Sequence, residues 1–227
     1  SLLHALKEAV DDALLSDDVR RLPGILAKRA RAEGWADTVA GDMERHYSPG
    51  RTWETLARAM TQLVDPGDVL DIASGDGVLA ELLAPRARSI VCVDASPRVV
   101  AAARERLKAF ANVEVVTGDM HALDFGRKRF DLVLLMHALT YSERPAVVVA
   151  EAARVLAKGG RLLAATLGRH AHRTAVEPFD HRNLGFKPAE LRGFAGDAGL
   201  EVLSCERITR EGKAPHFEVL ALLARKP

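Results

Sequence analysis

The sequence contains little of what marks several classes of protein. Only two of its 227 residues are cysteines, Cys92 and Cys205, too few for a disulfide framework or a cysteine-based zinc cluster. No apolar run is long enough to span a bilayer. Lys and Arg number 32 against 31 Asp and Glu, so no basic surface for nucleic acid or an acidic membrane is indicated. These absences favour a cytoplasmic protein that binds neither nucleic acid nor membrane.

The overall composition is typical of a globular protein. Hydrophobic residues make up 48% and charged residues 28% of the sequence, which suits one domain with a sizeable core and some additional helices. The chain begins at Ser1 without an initiator methionine or a signal-peptide pattern. It is therefore interpreted as a trimmed chain or as part of a longer protein.

The pattern of apolar residues changes near residue 65. Residues 1–64 are predicted to form a helical extension that includes a lid, interrupted at Pro23-Gly24 and Pro49-Gly50. Residues 65–227 alternate strand-like and helical segments, which is typical of a parallel sheet covered on both faces. The strands are predicted at 69–72, 90–93, 113–116, 132–136 and 161–166, followed by a helix at 191–198 and a hairpin at 201–208 and 216–223. The predicted fold is α/β and Rossmann-like, with a doubly wound, mostly parallel sheet and an antiparallel C-terminal hairpin.

The stretch VLDIASGDGVLAELL, residues 69–83, predicts a strand, a tight turn and a helix. Its Gly75 and Gly77 fit the dinucleotide pattern G-x-G-x-x-A, and Asp94 at the end of the next strand could hold ribose hydroxyls. Asp71, however, ends the first strand just before the turn, where it would repel a pyrophosphate and attract an ammonium group. This charge favours a cationic ligand over a nicotinamide dinucleotide.

Five segments in order resemble the class I S-adenosylmethionine-dependent methyltransferases. They are VLDIASGDG, VCVDAS, VVTGDMHAL, FDLVLLMHALTYSERP and EAARVLAKGGRLL, and the resemblance covers residues 69 to about 167. One departure from the usual G-x-G-x-G is Ala73, small enough to keep the turn but expected to tighten it. The resemblance implies that S-adenosyl-L-methionine is the cofactor and S-adenosyl-L-homocysteine the product.

The resemblance also implies roles for individual residues. Asp94 would accept hydrogen bonds from the ribose hydroxyls, Asp119 would hold the adenine amino group, and Met120 would offer its backbone N–H to the ring. The other implied cofactor contacts are Asp71, Ala73, Gly75, Gly77, Ala95 and Met136. For Gly77 helix packing alone is an alternative, and for Asp119 an ordinary turn residue is one.

A narrower resemblance lies outside this core. MERHYSPGRTWETLARAM and RHAHRTAVEPFDHRNLGFKPAELRGFAGDAGLEV are similar to the methyltransferase portion of bacterial ArsR-type regulator–methyltransferase fusions. No winged helix fits in residues 1–64, so the chain is interpreted as a truncated fusion. The resemblance implies that Tyr47, Arg51 and Trp53 lie on a segment that closes over the cofactor, with Tyr47 at the sulfonium and Arg51 at a carboxylate. A packed Trp53 and a solvated Arg51 remain the alternative.

The acceptor side is predicted from histidines that follow successive strands. His137 follows the fourth strand and is the predicted catalytic residue, while His170, His172 and His181 follow the fifth. An acceptor cavity is expected between His137 and residues 170–186. No metal is predicted, because H-x-H alone completes no ligand set, and the lone Cys205 argues against arsenite chemistry.

Three functions remain open from the sequence. The leading hypothesis is methyl transfer to a small-molecule acceptor. The second is a module that senses S-adenosylmethionine or S-adenosylhomocysteine for an ArsR-type regulator, and a nicotinamide-dependent oxidoreductase is the third. The sequence leaves the formation of a homodimer open.

Overall fold

The computed structural model describes residues 20–23, 49–50, 52–126 and 129–227. Residues Ala57–Pro227 form one compact unit. Most of the predicted N-terminal extension lies outside the described ranges, so the domain boundary at residue 64 stays a prediction. Its last part contains helix α1, Trp53–Met60, and a 3-10 turn, Thr61–Leu63. Within the described ranges, no helix is both long and apolar enough to cross a bilayer.

Seven strands form the sheet at the centre of this unit. They are β1 Asp68–Ile72, β2 Ser89–Asp94, β3 Val113–Thr117, β4 Phe130–Met136, β5 Leu156–Leu167, β6 Glu201–Arg210 and β7 Glu218–Arg225. Their order is β3-β2-β1-β4-β5-β7-β6. Strands β1 to β5 pair in parallel, whereas β7 pairs antiparallel with both β5 and β6. The predicted Rossmann-like α/β fold with its antiparallel hairpin is confirmed.

Helices cover both faces of the sheet. They are α2 Val78–Leu83, α3 Pro97–Leu107, α4 Pro145–Val155, the single turn α5 Arg173–Val176, and α6 Pro188–Asp197. One core packs β-strand residues against α2 and α3, and a second packs them against α4 and α6. Burial on both faces explains why Val69, Leu70 and Ile72 of β1 are all fully buried.

Strands β1, β2, β4, β5 and β7 begin at residues other than those predicted, and the reasons are visible for β5 and β7. Strand β5 begins at Leu156 because its first residue pairs with Phe130, before an irregularity that contains Gly159 at φ +77°. Strand β7 begins at Glu218 because His216 has φ +63°, a left-handed conformation that an extended strand cannot contain. These differences concern strand ends, and the parallel sheet with its antiparallel hairpin is as predicted.

The strand order creates a crevice at the carboxyl end of β1. The chain proceeds from β1 to β2 and β3 on one side, and then crosses back to β4 on the other. The loops after β1 and β4 therefore leave in opposite directions, and in open α/β sheets ligands bind where this occurs.

Candidate active site

A cavity of about 640 Å³ opens at this crevice, a volume suited to a small ligand or cofactor. Its described lining residues come from the ends of β1, β2, β3 and β4 and from the segments that follow them: Ala73, Ser74, Gly75, Val93, Asp94, Ala95, Val99, Gly118, Asp119, Met120, His121, Met136, His137 and Tyr141. Two of them are acidic and none is lysine or arginine. The cavity therefore has a negative lining.

The structure separates the predicted cofactor residues into two groups. Lining the cavity are Ala73, Gly75, Asp94, Ala95, Asp119, Met120 and Met136, together with the predicted catalytic residue His137. Asp71 and Gly77 are absent from the described lining. Tyr47 and Arg51 lie outside the described residues.

The turn after β1 brings backbone to the cavity edge. Ala73 has φ +55° and Gly75 has φ +59°, so both adopt the left-handed conformation. Alanine tolerates it at a cost of about 1–2 kcal/mol. The tightening of the turn expected from Ala73 stays a prediction. A Cβ on Gly75 would meet nothing within 4 Å, since this residue faces open space.

Gly77 lies at a position that suits helix packing. It has φ +82° and immediately precedes α2, a conformation that favours glycine. A Cβ at this position would lie 2.6 Å from Cδ1 of Leu107 on α3, so the Leu107 side chain would have to move. This contact supports the packing alternative, and a ligand contact at Gly77 stays a prediction.

Asp94 connects the two loops that flank the cavity. Its Oδ2 accepts a hydrogen bond from the Gly75 backbone N–H at 3.1 Å, and its Oδ1 accepts one from the Ser96 N–H at 3.0 Å. Ser96 in turn caps α3, with its Oγ accepting from the Val99 N–H at 3.4 Å. One carboxylate therefore orders both loops while remaining at the cavity surface.

Asp71 lies beneath the cavity rather than on its surface. Its residue is only 2% exposed, and burial, with the nearby charge of Asp94 as a smaller cause, raises its pKa from 3.8 to about 7. Removing a carboxylate from water disfavours its ionised form. A cationic group bound nearby would offset this cost, whereas an anionic group would increase it.

The burial of Asp71 predicts a specific pH dependence of stability. Because the folded state holds the Asp71 proton more tightly than the unfolded state, the free energy of unfolding should fall as pH rises from about 4 to about 7. Asp71→Asn removes this dependence. As the pH rises from 5 to 8, the free energy of unfolding of the variant should therefore increase by about 2–3 kcal/mol relative to that of wild type. Urea unfolding at both pH values measures the difference. The exposed Asp197→Asn is the control, and parallel pH profiles for wild type and Asp71→Asn would contradict the prediction.

The loop after β3 contains a residue that the sequence reasoning missed. Asp119 Oδ1 accepts hydrogen bonds from the His121 backbone N–H at 2.9 Å and from His121 Nδ1 at 2.7 Å. His121 Nε2 lies 2.7 Å from Oγ of Ser142. The hydrogen bonds from His121 lower the pKa of Asp119, the backbone one contributing most. The D-x-H spacing was a usable signal for the first contact, but nothing local in sequence indicated Ser142.

His137 follows β4 in a left-handed conformation with φ +58°. Its backbone N–H donates to the Ala165 carbonyl at 2.7 Å, and its carbonyl accepts from Thr140 Oγ1 at 3.1 Å. Burial lowers the pKa of its ring below 6.5, against a smaller opposing effect of Glu211. The imidazole is thus neutral at pH 7 and able to accept a proton.

The other predicted histidines are absent from the described lining of this cavity. The His181 ring lies 5.1 Å from that of Tyr141, and the His170 ring lies 6.0 Å from that of His172 and 4.7 Å from that of Phe217. Burial lowers the pKa of His181, and the charge of His137 lowers it further, so these two rings are near one another. An acceptor cavity between His137 and residues 170–186 stays a prediction. Within the described ranges, no group of three or more His, Cys, Asp or Glu side chains could hold a metal ion.

The cysteines are both free and buried. Burial, the main cause, raises the pKa of the Cys92 thiol to about 12, and the charge of Asp71 contributes to the rise.

Trp53, which the narrower resemblance placed on a lid, is 73% exposed. Its exposure does not support the alternative of a packed core tryptophan.

Residues 70–164 match a family model described as a methyltransferase domain. This part of the chain is similar to methyltransferase domains. It is 33% identical to a demethylmenaquinone methyltransferase of Tropheryma whipplei over 113 residues, 49% of this chain and 46% of that relative. It is also 33% identical to a ubiquinone biosynthesis O-methyltransferase of Thiobacillus denitrificans over 149 residues, 59% of this chain and 64% of the relative. The chain thus spans about half the length of the first and less than two thirds of the second.

Solved structures share the fold of this domain. The N-methyltransferase NodS of Bradyrhizobium japonicum, in complex with S-adenosyl-L-homocysteine, aligns with a TM-score of 0.61 and 18% identity over 90% of this chain and 97% of NodS. The [4+2]-cyclase SpnF aligns with a TM-score of 0.64 and 22% identity over 79% of this chain and 84% of SpnF. Since one of these is named as a cyclase, the methyltransferase fold alone does not determine the reaction.

Proposed function

We propose that this protein is an S-adenosylmethionine-dependent methyltransferase that acts on a small-molecule acceptor. The observation that carries the proposal is the charge of the cavity. Asp94 and Asp119 line it, Asp71 lies beneath it, and its described lining has no cationic side chain. Such a cavity suits a ligand with an ammonium and a sulfonium group, and it disfavours the pyrophosphate of a nicotinamide dinucleotide.

The residues at the cavity fit the parts of this cofactor. The carboxylate of Asp94 suits the ribose hydroxyls, Asp119 and Met120 suit the adenine, and the turn with Ala73 and Gly75 suits the methionyl portion near Asp71. Ala95 and Met136 complete the surface. When bound, S-adenosylmethionine supplies an electrophilic methyl group on a sulfonium. The chain itself must position the acceptor, exclude water and, where the acceptor loses a proton, receive it.

His137 is the residue proposed to receive that proton. It lines the cavity on the β4 side, opposite the ribose side at Asp94, and its imidazole is neutral at pH 7 because burial lowers its pKa. Tyr47 and Arg51 lie outside the described residues. They remain proposed cofactor contacts on a lid formed by residues 40–55. The predicted cytoplasmic location and the open question of a homodimer also remain sequence-based hypotheses.

The sensing alternative has less support. Neither of the two relatives described above is named as an ArsR-type fusion, and the narrower resemblance rests on segments flanking the matched residues 70–164. The methyltransferase names of both relatives support the enzymatic alternative. We therefore retain methyl transfer as the proposed function.

Ligand titration followed by an acceptor screen tests this proposal. The protein should bind S-adenosylhomocysteine in calorimetry and show no binding of NAD at the same concentrations. It should then release S-adenosylhomocysteine from S-adenosylmethionine in the presence of one or more acceptors from a panel of phenols, quinols, amines and carboxylates. Tight NAD binding would overturn the cofactor, and cofactor binding with no turnover across the panel would favour a sensor.

A further inference from the structure

The hydrogen bonds around His121 connect two loops that are far apart in sequence. Asp119 and His121 follow β3, whereas Ser142 follows the 3-10 turn Leu139–Tyr141 after β4. The His121 ring contacts both, with Nδ1 at 2.7 Å from Asp119 Oδ1 and Nε2 at 2.7 Å from Ser142 Oγ. A single imidazole therefore joins the adenine side of the proposed cofactor site to the loop that contains Tyr141.

Burial differs sharply along this chain of groups. The Ser142 residue is 1% exposed, the His121 side chain is 17% exposed, and the Asp119 side chain is 61% exposed. An exposed carboxylate ordinarily samples several rotamers, and fixing one costs conformational entropy. In this structure the His121 ring fixes the rotamer of Asp119 through Nδ1, and the buried hydroxyl of Ser142 holds the ring at Nε2.

The hydrogen-bond donors can be assigned consistently. The Arg144 N–H donates to Ser142 Oγ at 3.0 Å, which leaves the Ser142 hydrogen free to donate to His121 Nε2. The His121 Nδ1–H then donates to Asp119 Oδ1. This assignment uses a neutral imidazole, and it commits only one of the two Asp119 oxygens.

We propose that His121 is a positioning residue that determines specificity for adenine: anchored on Ser142, it holds the Asp119 carboxylate so that Oδ2 accepts a hydrogen bond from the exocyclic amino group of the base. The inference rests on the proposed function, since it requires the adenosyl cofactor in this cavity. An ionised carboxylate only accepts hydrogen bonds. It therefore favours the amino group of adenine and disfavours the keto oxygen of hypoxanthine.

Substitution of His121 by asparagine or by glutamine tests the two ring nitrogens separately. In His121→Asn, the amide nitrogen can take the place of Nδ1 and donate to Asp119, but the side chain is too short to reach Ser142. In His121→Gln, the amide can approach Ser142, but no donor occupies the Nδ1 position. A merely structural contact between the loops would depend on the Ser142 side and would be served better by glutamine.

The experiment measures binding of S-adenosyl-L-homocysteine and S-inosyl-L-homocysteine to each protein by calorimetry. Wild type should prefer the adenine ligand by about tenfold or more, because the hypoxanthine oxygen faces a carboxylate. His121→Asn should retain most of this preference, and His121→Gln should lose most of it. His172→Gln, outside the described cavity lining, is the control and should match wild type.

Several results would overturn the inference. A wild-type preference retained by His121→Gln, or an equal loss of affinity for both ligands in the two variants, would assign His121 a structural role only. If His121→Gln does not fold, His121→Phe replaces it: the phenyl ring fills the space of the imidazole but offers no donor to Asp119, so the preference should fall. An unchanged preference there would equally contradict the proposal. Wild-type protein that binds neither ligand would overturn the proposed function itself, and this inference with it.

Discussion

Asp94→Ala should weaken the binding of S-adenosylhomocysteine by about tenfold to a hundredfold, the effect of losing hydrogen bonds to a charged acceptor. Each Asp94 oxygen already accepts one backbone N–H, from Gly75 and from Ser96. A carboxylate oxygen has two lone pairs, so one acceptor position remains on each oxygen, which matches the two hydroxyls of a ribose. Titration calorimetry measures the loss, and thermal unfolding checks that the variant is folded.

A neighbouring acid provides the matched control. Asp76 belongs to the same turn, but its carboxylate pairs with Arg106 at 2.7 Å and it is absent from the described cavity lining. Asp76→Ala should therefore leave the affinity unchanged. Asp94→Asn keeps one carbonyl-type oxygen and should give an intermediate loss. Unchanged affinity in Asp94→Ala would remove this residue from the site.

The sheet could be predicted well because its strands are continuous apolar runs. A strand covered by helices on both faces needs apolar residues at nearly every position, and β2 (SIVCVD) and β4 (FDLVLLM) come closest to this pattern. The predicted β5 began too late, because Lys158, Gly159 and Gly160 interrupt the apolar run before residue 161. Its first residues pair with Phe130 across an irregularity, and a local pattern carries no information about such a partner.

The site could be predicted in part, for a related reason. Asp94, Asp119 and His137 follow strands, and the carboxyl ends of parallel strands meet at one edge of the sheet. His121 was missed because its importance depends on Ser142, 21 residues away. Gly77 was assigned to the ligand because a glycine needed for a ligand and a glycine needed for helix packing are identical in sequence. The position of Leu107 supports the second of these roles.

The acceptor side was the least predictable region. Residues 170–186 follow β5 and end near the same edge of the sheet, which suggested that they face His137 directly. In the structure the described lining of the cavity includes Tyr141 but no residue from 170–186, and the Tyr141 ring lies 5.1 Å from that of His181. Which loop residues line the cavity depends on the loop conformations, including the left-handed conformation of His137. The periodicity of apolar residues carries no information about these conformations.

His137 is positioned to act as a base because of its backbone as well as its pKa. Its φ of +58° is unusual for a residue with a side chain, and its N–H and carbonyl are both held, by the Ala165 carbonyl and by Thr140 Oγ1. Alanine at this position would be strained, whereas asparagine adopts left-handed conformations more readily. Asparagine also keeps a polar group at the cavity but cannot accept a proton at neutral pH. It is thus the sharper substitution.

With an acceptor identified by the screen, His137→Asn should lower kcat by about a hundredfold to ten-thousandfold, the usual contribution of a general base, while the affinity for S-adenosylhomocysteine stays nearly unchanged. Because burial lowers the pKa of His137 below 6.5, wild-type kcat should rise with pH below that value and be constant by pH 7, and the variant should lack this rise. The same substitution at His216, which has φ +63° and is absent from the described cavity lining, is the control for a left-handed histidine. Steady-state rates measured from pH 5 to pH 8 decide the matter: a variant that keeps both the wild-type kcat and its pH profile would show that the acceptor reaches the methyl group without a proton leaving through His137.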